Sequence, residues 1–279
     1  MITAGALIFY TNIEGRYIVI KTTRFKKFGT DPEKDRLVTS KKTYERYEAL
    51  SQDYGLDVLI KSESEHIRAS VAGRGYGLDI LIHDKSPRVR AEVARQGYGL
   101  DVLVHDKNSR VREAVAHQGY GLDILIHDRS HEVRAEVARQ GYGLDILIKD
   151  SSSHVREAVA YQGYGLDILV KDHYPIVRAA VASRGYGLER LVNDPNYMVR
   201  AEVAYKGYGL ETLVDDDIIG VLIAVASRGY GLDKLIYINH PWVQSEIKRA
   251  LGGATIEEWI EQNPDKCALP ENRPGDPVL

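Results

Sequence analysis

The stretch Tyr76-Gly77-Leu78-Asp79-Ile80-Leu81-Ile82-His83-Asp84, continuing to Pro87-Arg88-Val89-Arg90-Ala91-Glu92-Val93-Ala94-Arg95-Gln96-Gly97, decides the fold because the chain keeps repeating it. Tyr-Gly-Leu recurs at Tyr54, Tyr76, Tyr98, Tyr120, Tyr142, Tyr164, Tyr186, Tyr208 and Tyr230, always 22 residues apart. The shared pattern is Y-G-L-D-x-L-I-x-D-x-x-x-x-V-R-x-x-V-A-x-x-G. Self-similarity at such a period marks a stacked array, since one repeat alone has too small an apolar edge to fold upon itself.

Each repeat supplies two short helical pieces. The second runs from Pro87 to Gln96: Asp84 or Ser86 precedes it as a cap, Pro87 suits the first turn, and Gly97 follows the last turn. Val89, Val93 and Ala94 give it one narrow apolar stripe. The first piece, Leu78 to Ile82, spans about one and a half turns at 3.6 residues per turn, a length at which 3₁₀ geometry is expected. Leu78, Leu81 and Ile82 are its core-facing residues.

The ends differ from the middle. Residues 32–53 form a degenerate first repeat, because Asp35, Leu37, Val38 and Arg46 fall 22 residues before Asp57, Leu59, Ile60 and Arg68. Residues 230–251 form a capping repeat that keeps Val243 but carries Gln244 in place of arginine. Residues 1–31 read as an N-terminal β-hairpin cap, with apolar runs at 6–10 and 17–21 around Asn12-Ile13-Glu14-Gly15. Residues 252–279 read as a helix from Ile256 to Gln262, with Trp259 packing back, and an extended proline-bearing tail. The expected fold is all-α, a solenoid of short α helices alternating with 3₁₀ or α pieces over residues 32–251, with a small N-terminal β-hairpin cap.

The strings Val89-Arg90 with Val93-Ala94, Val111-Arg112 with Val115-Ala116, and their copies through Val199-Arg200 with Val203-Ala204, resemble the leucine-rich repeat variant family. That resemblance implies alternating α- and 3₁₀-helices in a right-handed superhelix. The repeat is also similar to HEAT-like repeats, in which an aspartate precedes a valine-arginine pair as Asp84 precedes Arg90. Both imply interaction surfaces rather than one activity. The cysteine-ligated iron–sulfur cluster of some variant-family members does not carry over, because the only cysteine is Cys267.

Composition narrows the classes further. A net charge of -3 and a pI of about 6.3 argue against a general nucleic-acid coat but leave room for a local basic face. A lone cysteine allows no intrachain disulfide, and neither a signal peptide nor a spanning apolar run is read, so a cytoplasmic location without membrane association is expected. No nucleophile elbow, phosphate loop or HExxH motif occurs. The expectation is therefore a non-enzymatic scaffold with no cofactor and no metal.

Recurrent charges and aromatics read first as structure. The aspartates Asp84, Asp106, Asp128 and Asp150 and the arginines Arg90, Arg112, Arg134 and Arg156, with their further copies, form a ladder in which each arginine pairs with an aspartate of its own or the next repeat. Leu222 breaks that series while Asp216 remains, which points to a repeat that is locally weaker or contacts something else. The tyrosines fill the groove at each turn with the hydroxyl at the surface. His83, His105 and His127 sit one repeat apart, too far to share a metal ion.

Function is then expected where the repeat varies. Later repeats present Tyr174, Ile176, Tyr197, Met198, Ile218 and Ile219, a site for a protein partner or for self-association. Earlier repeats present Lys85, Arg88, Arg95, Lys107, Arg110, Arg129 and Arg139, cations left over by the ladder that would make a nucleic-acid ridge. A helical-repeat enzyme acting on DNA bases is a further alternative.

Overall fold

A computed structural model describes residues 12–13, 16–17, 25–252 and 254–263. Packing groups the chain into two compact bodies, residues 1–121 and 122–279. Among the described residues the chain is helical, apart from one isolated bridge and a two-residue strand pair in which Asn12 faces Tyr17 and Ile13 faces Arg16. Most of the longer hairpin expected over residues 6–21 lies outside the described residues, as do Cys267 and the tail beyond residue 263.

In the first body the degenerate repeat forms helices Pro32–Thr39 and Thr43–Ser51, which bury Leu37, Val38, Ala49 and Leu50. Regular repeats follow as pairs of a four-residue and a nine-residue helix: Leu56–Leu59 with Glu65–Gly73, Leu78–Leu81 with Pro87–Arg95, and Leu100–Leu103 with Ser109–His117. The long helices pack on one another in sequence order. Val89, Val93 and Ala94 are fully buried, as are Val111, Val115 and Ala116. The stripe read from the sequence is thus the seam of the stack.

The second body continues the scheme. Its short helices are Leu122–Leu125, Leu144–Leu147, Leu166–Leu169, Leu188–Leu191, Leu210–Leu213 and Leu232–Leu235. Its long helices are His131–Arg139, Ser153–Tyr161, Pro175–Ser183, Tyr197–Tyr205, Ile219–Ser227 and Pro241–Ala250, each packed on the next. The alanine that is fully buried in Ala138, Ala160, Ala182, Ala204 and Ala226 becomes Lys248 in the last repeat, and Lys248 is exposed. A charged residue at that place leaves the outer face of the final helix polar, as an end repeat requires. Ile256–Gln262 follows, capped by the Thr255 and Glu258 side chains with Trp259 half-buried.

Two local expectations are corrected. The short pieces are α-helical rather than 3₁₀: Leu81 and Ile82 donate to the carbonyls of Gly77 and Leu78 at 2.9 Å, four residues back. Three-residue spacing is found at both ends, where Ile80 donates to Gly77 at 3.1 Å on entry, and His83 to Ile80 and Asp84 to Leu81 on exit. Gly77, at φ +62, starts that turn, and a Cβ there would run into the Ile60 side chain of the preceding repeat. Nor does Ser86 cap the long helix with its hydroxyl, which donates instead to Glu65 Oε2 of the previous repeat at 2.6 Å. Asp84 acts one step earlier, its carboxylate accepting the Ser86 amide at 2.8 Å.

Candidate functional site

Between each short helix and the following long helix runs a loop whose residues vary from repeat to repeat, and a buried ion pair holds it. Arg68 reaches forward to Asp84 of the next repeat, Nε to Oδ2 at 2.6 Å and Nη2 to Oδ1 at 2.9 Å, both side chains being more than nine-tenths buried. Arg90 grips Asp106 in the same way. In the second body Arg134 grips Asp150, Arg156 grips Asp172, Arg178 grips Asp194 and Arg200 grips Asp216. The other guanidinium nitrogen turns back to its own repeat, Arg90 Nη1 donating to the Asp84 carbonyl at 2.7 Å and Arg112 Nη1 to that of Asp106 at 2.6 Å.

The aspartate has one further duty. Its Oδ1 accepts the amide two residues on, whatever that residue is: Ser86, Asn108, Ser130, Ser152, Tyr174, Asn196 and Ile218 all donate to the aspartate two places before them, at 2.8 to 2.9 Å. Burial pushes the carboxyls of Asp84, Asp106, Asp150, Asp172 and Asp216 up, but the arginine hydrogen bonds, the loop amide and the arginine charge outweigh it, and each lies below the ordinary aspartate value. A charge-locked aspartate thus fixes the loop backbone without using the loop's own side chains. Those side chains are left free to differ.

The ladder's ends are built differently. Arg46 Nη1 donates to Ser62 Oγ at 3.2 Å, because serine stands where later repeats have aspartate. At the other end, Asp216 is already taken by Arg200, so the absence of arginine at Leu222 leaves no carboxylate stranded. The residue that an arginine at 222 would reach is position 238, an isoleucine. Both places that hold charge in the preceding repeats are apolar here, with Leu222 buried. The expected local weakness therefore has no basis in an unpaired charge.

The apolar positions of the later repeats all lie in the second body, on successive loops and helix starts. Tyr174, Tyr197, Met198 and Ile218 are exposed, whereas Ile176 and Ile219 are half-buried. Tyr174 lies with its ring centroid 5.5 Å from the Arg156 guanidinium and edge-on to His173 at 5.6 Å, so it roofs the Arg156–Asp172 pair. Tyr197 lies against Gly220 of the next repeat, where a Cβ would sit in ordinary contact with its ring at 3.6 Å.

The basic series is altered by the structure. Lys85, Arg88, Arg95, Lys107 and Arg110 belong to the first body and Arg129 and Arg139 to the second, and all are exposed. Arg95 pairs with Glu92 at 2.9 Å and Arg139 with Glu136 at 3.0 Å, three residues back on the same helix, and Lys107 and Arg129 are engaged as well, so these four are not spare cations. For Arg95 and Arg139 the glutamates interleaved on these helices are the reason.

The tyrosines of the turns are about two-fifths exposed at Tyr98, Tyr142, Tyr164, Tyr186, Tyr208 and Tyr230. Tyr54 is the exception, fully buried, its hydroxyl accepting the Asp31 amide at 2.9 Å and donating to Asp35 Oδ1 at 2.7 Å. Among the described residues no group of three or more histidine, cysteine or acidic side chains could hold a metal ion, and no helix is long and apolar enough to cross a membrane. One exposed series was not read from the sequence, the third residue of each short helix; within an apolar run of only a few residues, periodicity does not reveal which side chain turns outward. Compared with known protein families and with curated proteins, the chain matches none.

Proposed function

We propose that this chain is a non-enzymatic scaffold that binds a protein partner through the variable loops of its second body, on a right-handed array of the leucine-rich repeat variant or HEAT-like kind. The observation that carries this reading is the loop construction. A buried aspartate holds the loop backbone in four successive repeats of this body, so identity can change from Ser152 to Tyr174, Asn196 and Ile218 without rebuilding the fold. Exposed Tyr174, Tyr197, Met198 and Ile218 then stand on neighbouring repeats, and aromatic residues and methionine are enriched at interface centres.

The test is affinity capture with the full chain as bait, with and without nuclease, beside the triple variant Tyr197→Ser, Met198→Ser, Ile218→Ser. A protein captured by the parent chain, retained after nuclease and lost from the variant, supports the reading. Equal capture by both overturns it. Capture lost only with nuclease turns the reading toward a nucleic-acid ridge on Lys85, Arg88 and Arg110, whose binding would weaken steeply with salt.

A further inference from the structure

The short helices present a second surface, separate from the loops. Their third residue is an exposed valine or isoleucine in six repeats: Val58, Ile80 and Val102 in the first body, and Ile124, Ile146 and Ile168 in the second, the last three at 47%, 51% and 60% of full exposure. Folding does not ask for this. An exposed β-branched residue is no aid to a helix, and Arg190, Thr212 and Lys234 take the same place in helices Leu188–Leu191, Leu210–Leu213 and Leu232–Leu235, which keep the same length.

Charge runs along both sides of the row in the second body. One residue earlier stand Asp123, Asp145 and Asp167, and three residues later stand His127, Lys149 and Lys171, all exposed. Where the isoleucines stop, the other column changes with them, to Asn193, Asp215 and Tyr237. There Lys234 Nζ lies 2.8 Å from both carboxylate oxygens of Asp215, one repeat back. At that one late step the two columns meet. The earlier repeats leave an apolar row between an acidic and a basic border.

We propose that this row is a self-pairing face, on which a second copy of the chain docks through Ile124, Ile146 and Ile168 with its two-fold axis parallel to the row. A two-fold axis in that direction sets the aspartates of each copy against the lysines and histidine of the other, whereas an axis across the row sets aspartate against aspartate. The apolar match and the charge match are both met by the same sequence, which is what an isologous contact requires. The loop surface of the preceding section plays no part in it.

Sedimentation of the purified full chain across concentration and salt tests the pairing. A concentration-dependent dimer that weakens as salt rises is expected. The pair Ile146→Lys with Ile168→Lys should leave a monomer of unchanged helix content, because Lys234 already occupies that position in a folded repeat. Asp145→Lys with Asp167→Lys should weaken the dimer by about tenfold or more, Lys149→Asp with Lys171→Asp should do the same, and the four together should restore it. A chain that stays monomeric at every concentration, a dimer untouched by the isoleucine changes, or failure of the folded fourfold variant to recover would each overturn the proposal. The variant Tyr197→Ser, Met198→Ser, Ile218→Ser should keep the parent dimer mass, so the two surfaces are tested apart.

Discussion

Within the second body, the repeats from Arg134 to Asp216 are stitched by buried arginine–aspartate pairs, and the step that follows, at Leu222 and Ile238, is apolar. Yet the helices Tyr197–Tyr205, Ile219–Ser227 and Pro241–Ala250 pack on each other as the earlier ones do. Val221, Val225 and Ala226 are fully buried like their counterparts. The stack is therefore held by its valine and alanine columns, and the ion pairs set the loop backbone. That division agrees with the general cost of desolvating two charges, which offsets most of their attraction.

Breaking one half of a charged step should have the largest effect. Arg156→Ala strands Asp172, whose side chain is 8% exposed, and should cost about 3–5 kcal/mol in denaturant unfolding. The converse error, Leu222→Arg, buries a guanidinium opposite Ile238 and should cost about 3 kcal/mol. Changing a whole step, Arg156→Leu with Asp172→Ile, should instead fall within about 2 kcal/mol of the parent, the remaining loss being the Tyr174 amide's acceptor. A cost of the double variant as large as that of Arg156→Ala would show the comparison to be misread.

Acid sharpens the same contrast. Asp150, Asp172 and Asp216 have folded pKa values below their unfolded ones, so they contribute stability above the unfolded value of about 3.9, and that contribution is lost as pH falls through the folded values. Hydrogen exchange at descending pH should show the repeats from His131 to Asp216 opening before the Leu222 step loosens. Uniform opening along the body would contradict it. The smallest effect is expected at the exposed row, where Ile146→Thr should change stability by less than about 0.5 kcal/mol.

Much of this architecture was legible in the sequence because period and burial coincide: the residues that recur every 22 positions are those that face the neighbouring repeat. Val38, the counterpart of Ile60 one period earlier, meets Gly55 as Ile60 meets Gly77. The direction of the ladder was not legible. Asp84 is 6 residues before Arg90 and 16 after Arg68, and both spacings turn out to be used, the first through the aspartate carbonyl and the second through its carboxylate. Sequence distance cannot separate a contact to backbone from one to side chain. The engagement of Arg95 and Arg139 by Glu92 and Glu136 follows a spacing of three that the sequence displays, although the ladder pattern alone leaves both cations over. The outward turn of Ile146 was hidden for a different reason, since a single helical turn gives no periodicity to read.

The forward reach of the arginines gives the chain a unit of length. Because each repeat offers a guanidinium to its successor and an aspartate to its predecessor, splicing in one more block of 22 residues between Tyr142 and Gly207 would find both hands already held out to it. A splice of any other length would leave a donor facing the wrong residue. Growth of this protein is thereby quantised, and its span is adjustable only in whole steps.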